Sequence, residues 1–67
     1  MRKTKLKYLK PREYFTLNPL EEPKESQVWV KGPYERITGK CSTHKFSEVN
    51  HEVLRTGEKE VYVDFTF

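Results

Sequence analysis

Apolar and polar residues alternate most regularly at the end of the sequence. Over residues 58–67, valine and then phenylalanine recur at every second position, at Val61, Val63, Phe65 and Phe67. A period of two is typical of a β-strand that buries one face. This segment therefore predicts a final strand whose valines and phenylalanines point into a core.

Three segments further upstream also predict strands. Residues 13–17 are rich in aromatic and β-branched side chains, residues 27–36 carry alternating valines, and residues 40–46 follow a turn at Gly39. The intervening residues 18–26 hold two prolines and three glutamates. Such a composition predicts an exposed loop between the first and second strands.

The second predicted strand is interrupted by the dipeptide Gly32–Pro33. Because proline has no N–H to donate to a neighbouring strand, this dipeptide predicts a bulge, a bend or a sheet edge. Just before it, Val28 and Val30 share one face of the strand, and Trp29 and Lys31 share the other. If the valines face inward, Trp29 and Lys31 face outward.

Residues 47–57 have a different pattern, which predicts a short helix before the final strand. Ser47 is a favourable N-cap residue, and Gly57 stands where a C-cap glycine is expected. Three apolar side chains would then share one helical face: Val49, Val53 and Leu54.

Together these elements predict a small core with few large side chains. The expected members are Phe15, Leu17, Val28, Val30, Tyr34, Ile37, Phe46, Val49, Leu54, Val61, Val63 and Phe65. So small a core leaves an isolated chain marginally stable, and a closed barrel, a partner or a homo-oligomer would add stability.

The order of the predicted elements favours a mostly β fold. A long loop after the first strand and a helical turn before the last resemble the small barrels of the Src-homology-3 type. We expect a small antiparallel barrel with one short helix before the last strand, because closure hides strand edges in a short chain. The alternative is an open antiparallel sheet with the helix packed on one face.

Charge divides the sequence into two parts. The chain has 13 basic and 10 acidic residues, and its formal net charge is +3. Six basic residues precede Glu13, the first acidic one. This asymmetry predicts a basic N-terminal arm over residues 1–12 and a barrel domain over residues 13–67. The arm would contact phosphates or an acidic protein, or simply be a solvated terminus.

Composition and length exclude several classes of protein. No apolar run approaches the roughly 20 residues that a membrane-spanning helix needs, and the lysines near the start interrupt any signal-peptide core. A chain of 67 residues with a single cysteine has neither an internal disulfide nor room for a deep catalytic pocket. We therefore expect a cytoplasmic protein that does not act on a membrane, with Cys41 as a free, partly buried thiol.

Residues with metal-binding or nucleophilic chemistry are few. Cys41, His44 and His51 are the obvious metal ligands, but a structural zinc site needs four and no clear fourth ligand exists. Cys41 and His44 are three positions apart, so on a strand they point to opposite faces and cannot form a dyad. We expect no metal, no cofactor and no enzymatic activity.

The remaining candidate is a surface of aromatic and basic side chains. An outward Trp29 beside lysines would stack on bases and neutralise phosphates, which favours single-stranded nucleic acid or RNA as the ligand. The candidate nucleic-acid-binding residues are Lys5, Lys7, Lys10, Arg12, Trp29, Lys31, Tyr34 and Arg36. Two alternatives stay open: Trp29 is covered by the 18–26 loop, or the exposed aromatics form a protein interface.

Four stretches of the sequence carry a resemblance to known proteins. They are residues 10–15 (KPREYF), 28–36 (VWVKGPYER), 45–52 (KFSEVNHE) and 57–63 (GEKEVYV). Over residues 10–67 the chain resembles short proteins of bacteriophages and prophage-bearing genomes, notably those of gut Bacteroidales. That group has no established activity, so the resemblance implies a phage-type accessory protein and assigns no role to any residue.

Overall fold

The strands account for most of the regular structure in the computed structural model, which describes all 67 residues. They are β1 (Arg2–Lys5), β2 (Tyr14–Phe15), β3 (Trp29–Glu35), β4 (Lys40–Lys45), β5 (Glu48–Thr56) and β6 (Glu60–Val63). Two single-turn 3-10 helices, Leu6–Tyr8 and Glu25–Gln27, complete the list, and neither has the length or apolar character to cross a membrane. The prediction of a mostly β fold is confirmed.

The strands form two antiparallel sheets rather than one closed barrel. One sheet has the order β2-β3-β4-β5, and the other pairs β1 with β6. A single bridge between Thr16 and Tyr62 links the two sheets. The expectation of a closed barrel is wrong, and the Src-homology-3-like arrangement is not confirmed. The longest strand, β5, therefore remains at an edge.

The basic N-terminal segment belongs to the folded domain and is not a free arm. Arg2 pairs with Val63 and Lys5 with Glu60 across the β1–β6 ladder. Leu6 follows β1 and is completely buried, and Leu9 is nearly so. The division into an arm at 1–12 and a domain at 13–67 is thus wrong, because the apolar residues between the lysines supply part of the core.

The predicted helix over residues 47–57 is wrong, because these residues form β5. Phe46 and Ser47 make a two-residue turn that sets Glu48 opposite Lys45. From there β5 pairs along β4 as far as Thr56. An isolated helix of two turns is only marginally stable in water. In the hairpin, residues of β5 instead form hydrogen-bonded pairs with β4 along its whole length.

The predicted irregularity at Gly32–Pro33 is confirmed as a bulge. Lys31 pairs with Thr43 and Tyr34 with Cys41, so β3 has one extra residue relative to β4 between these pairs. The unpaired stretch is where proline can be accommodated. A side-chain carbon on Gly32 would lie 2.9 Å from the carbonyl oxygen of Ser42, which explains why glycine precedes the proline.

The final strand is confirmed but is shorter than predicted. Val61 and Val63 point into the core, as the alternation indicates. Asp64 then adopts a left-handed backbone conformation, with φ of 60°, and β6 ends at Val63. Because this turn breaks the alternation, Phe67 does not follow the valines inward but lies half-exposed on another face.

The main core lies between the two sheets. Its buried members are Leu6, Leu9, Phe15, Trp29, Cys41, Val61 and Val63, with Leu17 and Val53 packed against them. Of the predicted core residues, Phe15, Val28, Val30, Val61 and Val63 are buried. The expectation is wrong for four exposed side chains: Tyr34, Ile37, Val49 and Leu54.

Candidate interaction surface

The four-stranded sheet has an inner face, which covers the core, and an outer face, which is turned away from it. Phe15 and Trp29 are paired across β2 and β3 and belong to the core, so they mark the inner face. Tyr14, Val30 and His44 are paired across β2, β3 and β4 and mark the outer face. The two faces therefore carry different side chains, apolar and packed on the inner face and partly open to solvent on the outer face.

Three aromatic rings meet on the outer face and form what we call the outer-face cluster: Tyr14, Phe46 and Phe67. Their ring centroids lie 5.4 Å apart for Tyr14 and Phe46, 5.7 Å for Tyr14 and Phe67, and 4.9 Å for Phe46 and Phe67. Every pair is edge-to-face, the geometry that aromatic quadrupoles favour. Mutual packing therefore fixes the cluster, although it sits outside the main core.

The outer-face cluster remains open to solvent. Tyr14 is 43% exposed and Phe67 is 50% exposed. Beside them lies a shallow groove of about 410 Å³ that is lined by Arg12, Tyr14, Val30, His44, Phe46 and Val49. A groove lined by apolar side chains together with a guanidinium and an imidazole can bury an apolar side chain and hydrogen-bond its neighbours.

Trp29, the centre of the predicted nucleic-acid surface, lies on the inner face and is only 7% exposed. The guanidinium carbon of Arg55 lies 4.4 Å from its ring centroid, and the Lys45 Nζ lies 5.8 Å away. The His51 ring meets it edge-on, at 5.7 Å between centroids. The expectation of an outward Trp29 is wrong; the indole is a core residue capped by cationic side chains.

The cations that cap Trp29 have no acidic partner. The ion pairs of the structure involve neither Lys45 nor Arg55. The Nε of Arg55 is buried without a hydrogen-bond acceptor, and burial lowers the pKa of this guanidinium from its usual value. Lys45 and Arg55 form a surface over the indole that we call the Trp29 face. This surface is locally basic, although the indole itself is covered.

Lys31 is buried as well, which contradicts the outward position that alternation predicts. Its side chain is on the inner face, the residue is 3% exposed, and its Nζ donates a hydrogen bond to the Gly32 carbonyl at 3.2 Å. Cys41 is also completely buried, as a free thiol. Burial raises the pKa of this thiol, and the nearby charge of Lys31 only partly opposes the rise.

The basic residues of the N-terminal segment are mostly paired with acids on and around β6. Arg2 lies 3.1 Å from Asp64, and Lys3 lies 3.4 Å from Glu60. Lys5 and Lys7 both bind Glu58, the first at 2.8 Å. Phosphate binding by Lys5 or Lys7 would have to compete with this carboxylate.

The other predicted site residues are spread over the molecule. Lys10 is exposed, and its backbone N–H donates to the Glu13 carboxylate at 2.6 Å. Arg36 is exposed in the turn between β3 and β4. Tyr34 covers Gly57, where an added side-chain carbon would come within 2.8 Å of the tyrosine ring. Of the predicted set, Arg12 alone lines the groove beside the outer-face cluster.

The structure does not bring together the three side chains considered as metal ligands. Cys41 is buried on the inner face, whereas His44 pairs with Val30 on the outer face. His51 lies against Trp29. No group of three or more histidine, cysteine, aspartate or glutamate side chains in the structure could hold a metal ion.

Sequence reasoning places Tyr14 outside but misses its two partners in the cluster. Phe46 and Phe67 are predicted inward, because the pattern treats each apolar residue at the end of a strand as part of the core. The two residues reach the outer face for different reasons. Phe46 lies two positions after His44 and so keeps the outer face of β4 by ordinary alternation. Phe67 follows the left-handed Asp64, which interrupts the alternation of β6.

No protein-family model, no curated protein and no solved structure matches the chain.

Proposed function

We propose that this protein is a non-enzymatic binding module that recognises a partner protein through the outer-face cluster. The observation that carries the proposal is a cluster of three packed aromatic rings, two of them exposed, beside a groove that Arg12 and His44 help to line. Tyrosine, phenylalanine and arginine are enriched where protein interfaces bury surface. A fixed aromatic platform also loses little conformational entropy when a partner binds.

The electrostatics favour a protein over a nucleic acid as the partner of this surface. Strong binding to nucleic acid depends on lysine and arginine side chains that displace counterions from the phosphates. Four of the N-terminal cations already have carboxylate partners. On the outer face itself, Glu52 is paired with His44 across β4 and β5 and would repel a phosphate. An apolar or mixed protein surface meets neither obstacle.

The sequence resemblance to phage-type accessory proteins suggests the class of partner. A phage-encoded module of this size would bind a host protein or a component of the virion. Such a role requires a stable surface of moderate size and no catalytic residues, which fits the outer-face cluster.

Affinity capture with matched variants tests the proposal. The immobilised protein is exposed to a lysate of its source organism, after nuclease treatment, and the retained proteins are quantified by mass spectrometry. Val49→Glu combined with Phe67→Glu places charges on the groove and the cluster, whereas Ile37→Glu places one charge on a side chain that is 94% exposed in the β3–β4 turn. We expect the same proteins on the wild type and on Ile37→Glu, and their loss from the double variant.

Retention of the same proteins by the double variant would show that the outer-face cluster is not the binding surface. If the wild type captures proteins from an untreated lysate but none from the nuclease-treated lysate, nucleic acid mediates the capture. Circular dichroism of the double variant checks that its fold is intact.

A second candidate function is nucleic-acid binding at the Trp29 face. It is favoured by Lys45 and Arg55, which lie over the indole without an acidic partner. Fluorescence anisotropy with labelled single-stranded DNA and RNA at two salt concentrations tests it. Binding that weakens with salt and with Lys45→Ala would support this candidate, and no binding at low salt would exclude it. Trp29→Ala is unsuitable here, because the indole is part of the core.

A further inference from the structure

The free edge of β5 is the largest unpaired backbone surface in the structure. β5 spans Glu48–Thr56, pairs with β4 on one side and has no strand on the other. The only other free edge of comparable regularity is β1, where Arg2, Lys3 and Lys5 present charges. Lysines on an edge strand discourage pairing with another chain, so β1 is protected in a way that the C-terminal part of β5 is not.

The backbone groups that β5 offers to solvent can be identified from its bonds to β4. The carbonyl of Val53 accepts a hydrogen bond from Thr43 Oγ1 at 2.6 Å, and the N–H of Gly57 donates to Gly39 at 2.8 Å. Both groups therefore point toward β4. Because consecutive residues of a strand point their backbone groups in opposite directions, those of Leu54 and Thr56 point toward the free edge.

Only the C-terminal half of β5 is regular enough to accept another strand. The register between β4 and β5 shifts between His44 and Lys45, so β5 carries extra residues between Glu48 and Glu52. Such a bulge disrupts pairing on that side. From Glu52 to Thr56, each residue pairs in turn with one residue of β4, without a shift.

We infer that two copies of this chain associate by antiparallel pairing of their β5 edges, with Leu54 opposite Leu54 of the second copy. A two-fold axis at Leu54 also sets Val53 opposite Arg55 and Glu52 opposite Thr56. Leu54 is 62% exposed and lines a groove of about 490 Å³ on the outer face. Pairing would cover this side chain and satisfy the free backbone groups of both edges.

Among the possible registers between two β5 edges, the charges of the facing side chains favour the one centred on Leu54. A two-fold axis at Glu52 would place two glutamates directly opposite each other, which is destabilising. An axis at Val53 would set His51 opposite Arg55 and Glu52 opposite Leu54. The Leu54 register avoids both a like-charge pair and a charge facing leucine. It also joins the outer faces of the two copies, so a dimer would present two outer-face clusters on one continuous sheet.

Disulfide trapping tests the register directly. In antiparallel pairs the Cα atoms lie about 4.5–5.5 Å apart, within the range that a disulfide spans. Leu54→Cys should therefore form an intermolecular disulfide under mild oxidation. Val49→Cys lies beyond the bulge and Ile37→Cys lies in a remote turn, so both serve as collision controls. Cys41 is buried in the wild type and should not react.

Equilibrium sedimentation provides a measurement that does not depend on cysteine. Thr56→Lys would face Glu52 of the second copy and tighten the dimer, and Thr56→Glu would weaken it; we expect dissociation constants that differ roughly tenfold between the two variants. A wild type that stays monomeric at millimolar concentration, or cross-linking of Ile37→Cys as fast as of Leu54→Cys, would overturn the inference. So would equal dissociation constants for the two Thr56 variants.

Discussion

At the scale of single residues, Glu58 connects the two ends of the fold. It accepts hydrogen bonds from Lys5 and Lys7, and these bonds, with the charges of both lysines, lower the pKa of the carboxyl from 4.5 to about 2. The same contacts raise the pKa of each lysine. Because Lys5 ends β1 and Glu58 precedes β6, the carboxylate reinforces a pairing between distant parts of the sequence.

The lowered pKa of Glu58 predicts how stability depends on pH. A carboxyl whose pKa is lower in the folded state stabilises the fold fully above its unfolded value of 4.5, and this contribution disappears as pH falls toward about 2. Denaturation midpoints measured between these limits should therefore fall with pH. Glu58→Gln should show a shallower fall than the wild type, with little difference between their slopes above pH 5.

Glu22→Gln is the matched control, because Glu22 is exposed in the loop and belongs to no ion pair. Equal pH slopes for Glu58→Gln and the wild type would show that the Lys5–Glu58–Lys7 contacts do not stabilise the folded state in solution. Salt should reduce the difference, since all three side chains are accessible to solvent.

Residue patterns predict which side chains share a face, but not which face meets the core. Alternation separates Val28 and Val30 from Trp29 and Lys31 correctly. The core lies under Trp29, because Phe15 of β2 is its cross-strand neighbour. Val30 is buried on the other side of the sheet, where it lines the groove beside the outer-face cluster. Both faces of β3 are covered at this point, so a one-sided interpretation of the alternation cannot be right.

At the scale of elements, the sequence predicts the bulge in β3 but not the strand β5. The bulge follows from a property of proline that no context changes. The helix prediction for residues 47–57 depends on propensities, which tertiary pairing overrides. The two-residue turn at Phe46–Ser47 carries none of the glycine or asparagine signals that mark tight hairpins, and the bulge near Asn50 further obscures the period of two.

The close approach of the two strands at the Gly32 bulge predicts that even one added methyl group lowers stability. Gly32→Ala would place Cβ 2.9 Å from the carbonyl oxygen of Ser42 and 3.2 Å from its Cβ. Because the first of these contacts is with backbone, β3 and β4 must separate, and we expect a loss of about 1–3 kcal/mol in the free energy of unfolding. Urea denaturation measures the loss.

Thr38→Ala, at an exposed position in the neighbouring turn, is the control for Gly32→Ala and should change the free energy of unfolding by less than about 0.5 kcal/mol. If the two variants are equally stable, the close approach of β3 and β4 at Gly32 is absent in solution. The comparison isolates the added methyl group from general effects of substitution in this hairpin.

At the scale of the whole molecule, the N-terminal segment is the part that sequence reasoning misjudges most. Local patterns and charge describe residues 1–12 as a solvated arm, because their pairing partners lie at the other end of the chain. Arg2 pairs with Val63, and the N–H of Leu6 bonds to the carbonyl of Lys59. Contacts between such distant positions leave no periodic signal in either segment.

Deletion of residues 1–10 therefore has a different expected outcome from the removal of an arm. The deletion removes β1 together with Leu6 and Leu9, which are both buried. Loss of one buried leucine side chain costs about 2–5 kcal/mol, and small domains have a total stability of about 5–15 kcal/mol. We expect the truncated chain to be unfolded, with poorly dispersed amide resonances in its NMR spectrum.

Lys3→Gln combined with Lys5→Gln separates the role of charge from that of structure in the same segment. This variant keeps β1 and both leucines but removes two cations, so it should remain folded with at most a small loss of stability. A truncated chain with the native spectrum would show that residues 1–10 are dispensable for folding. Unfolding of the double glutamine variant would show instead that the ion pairs to Glu58 and Glu60, rather than the buried leucines, hold β1 in place.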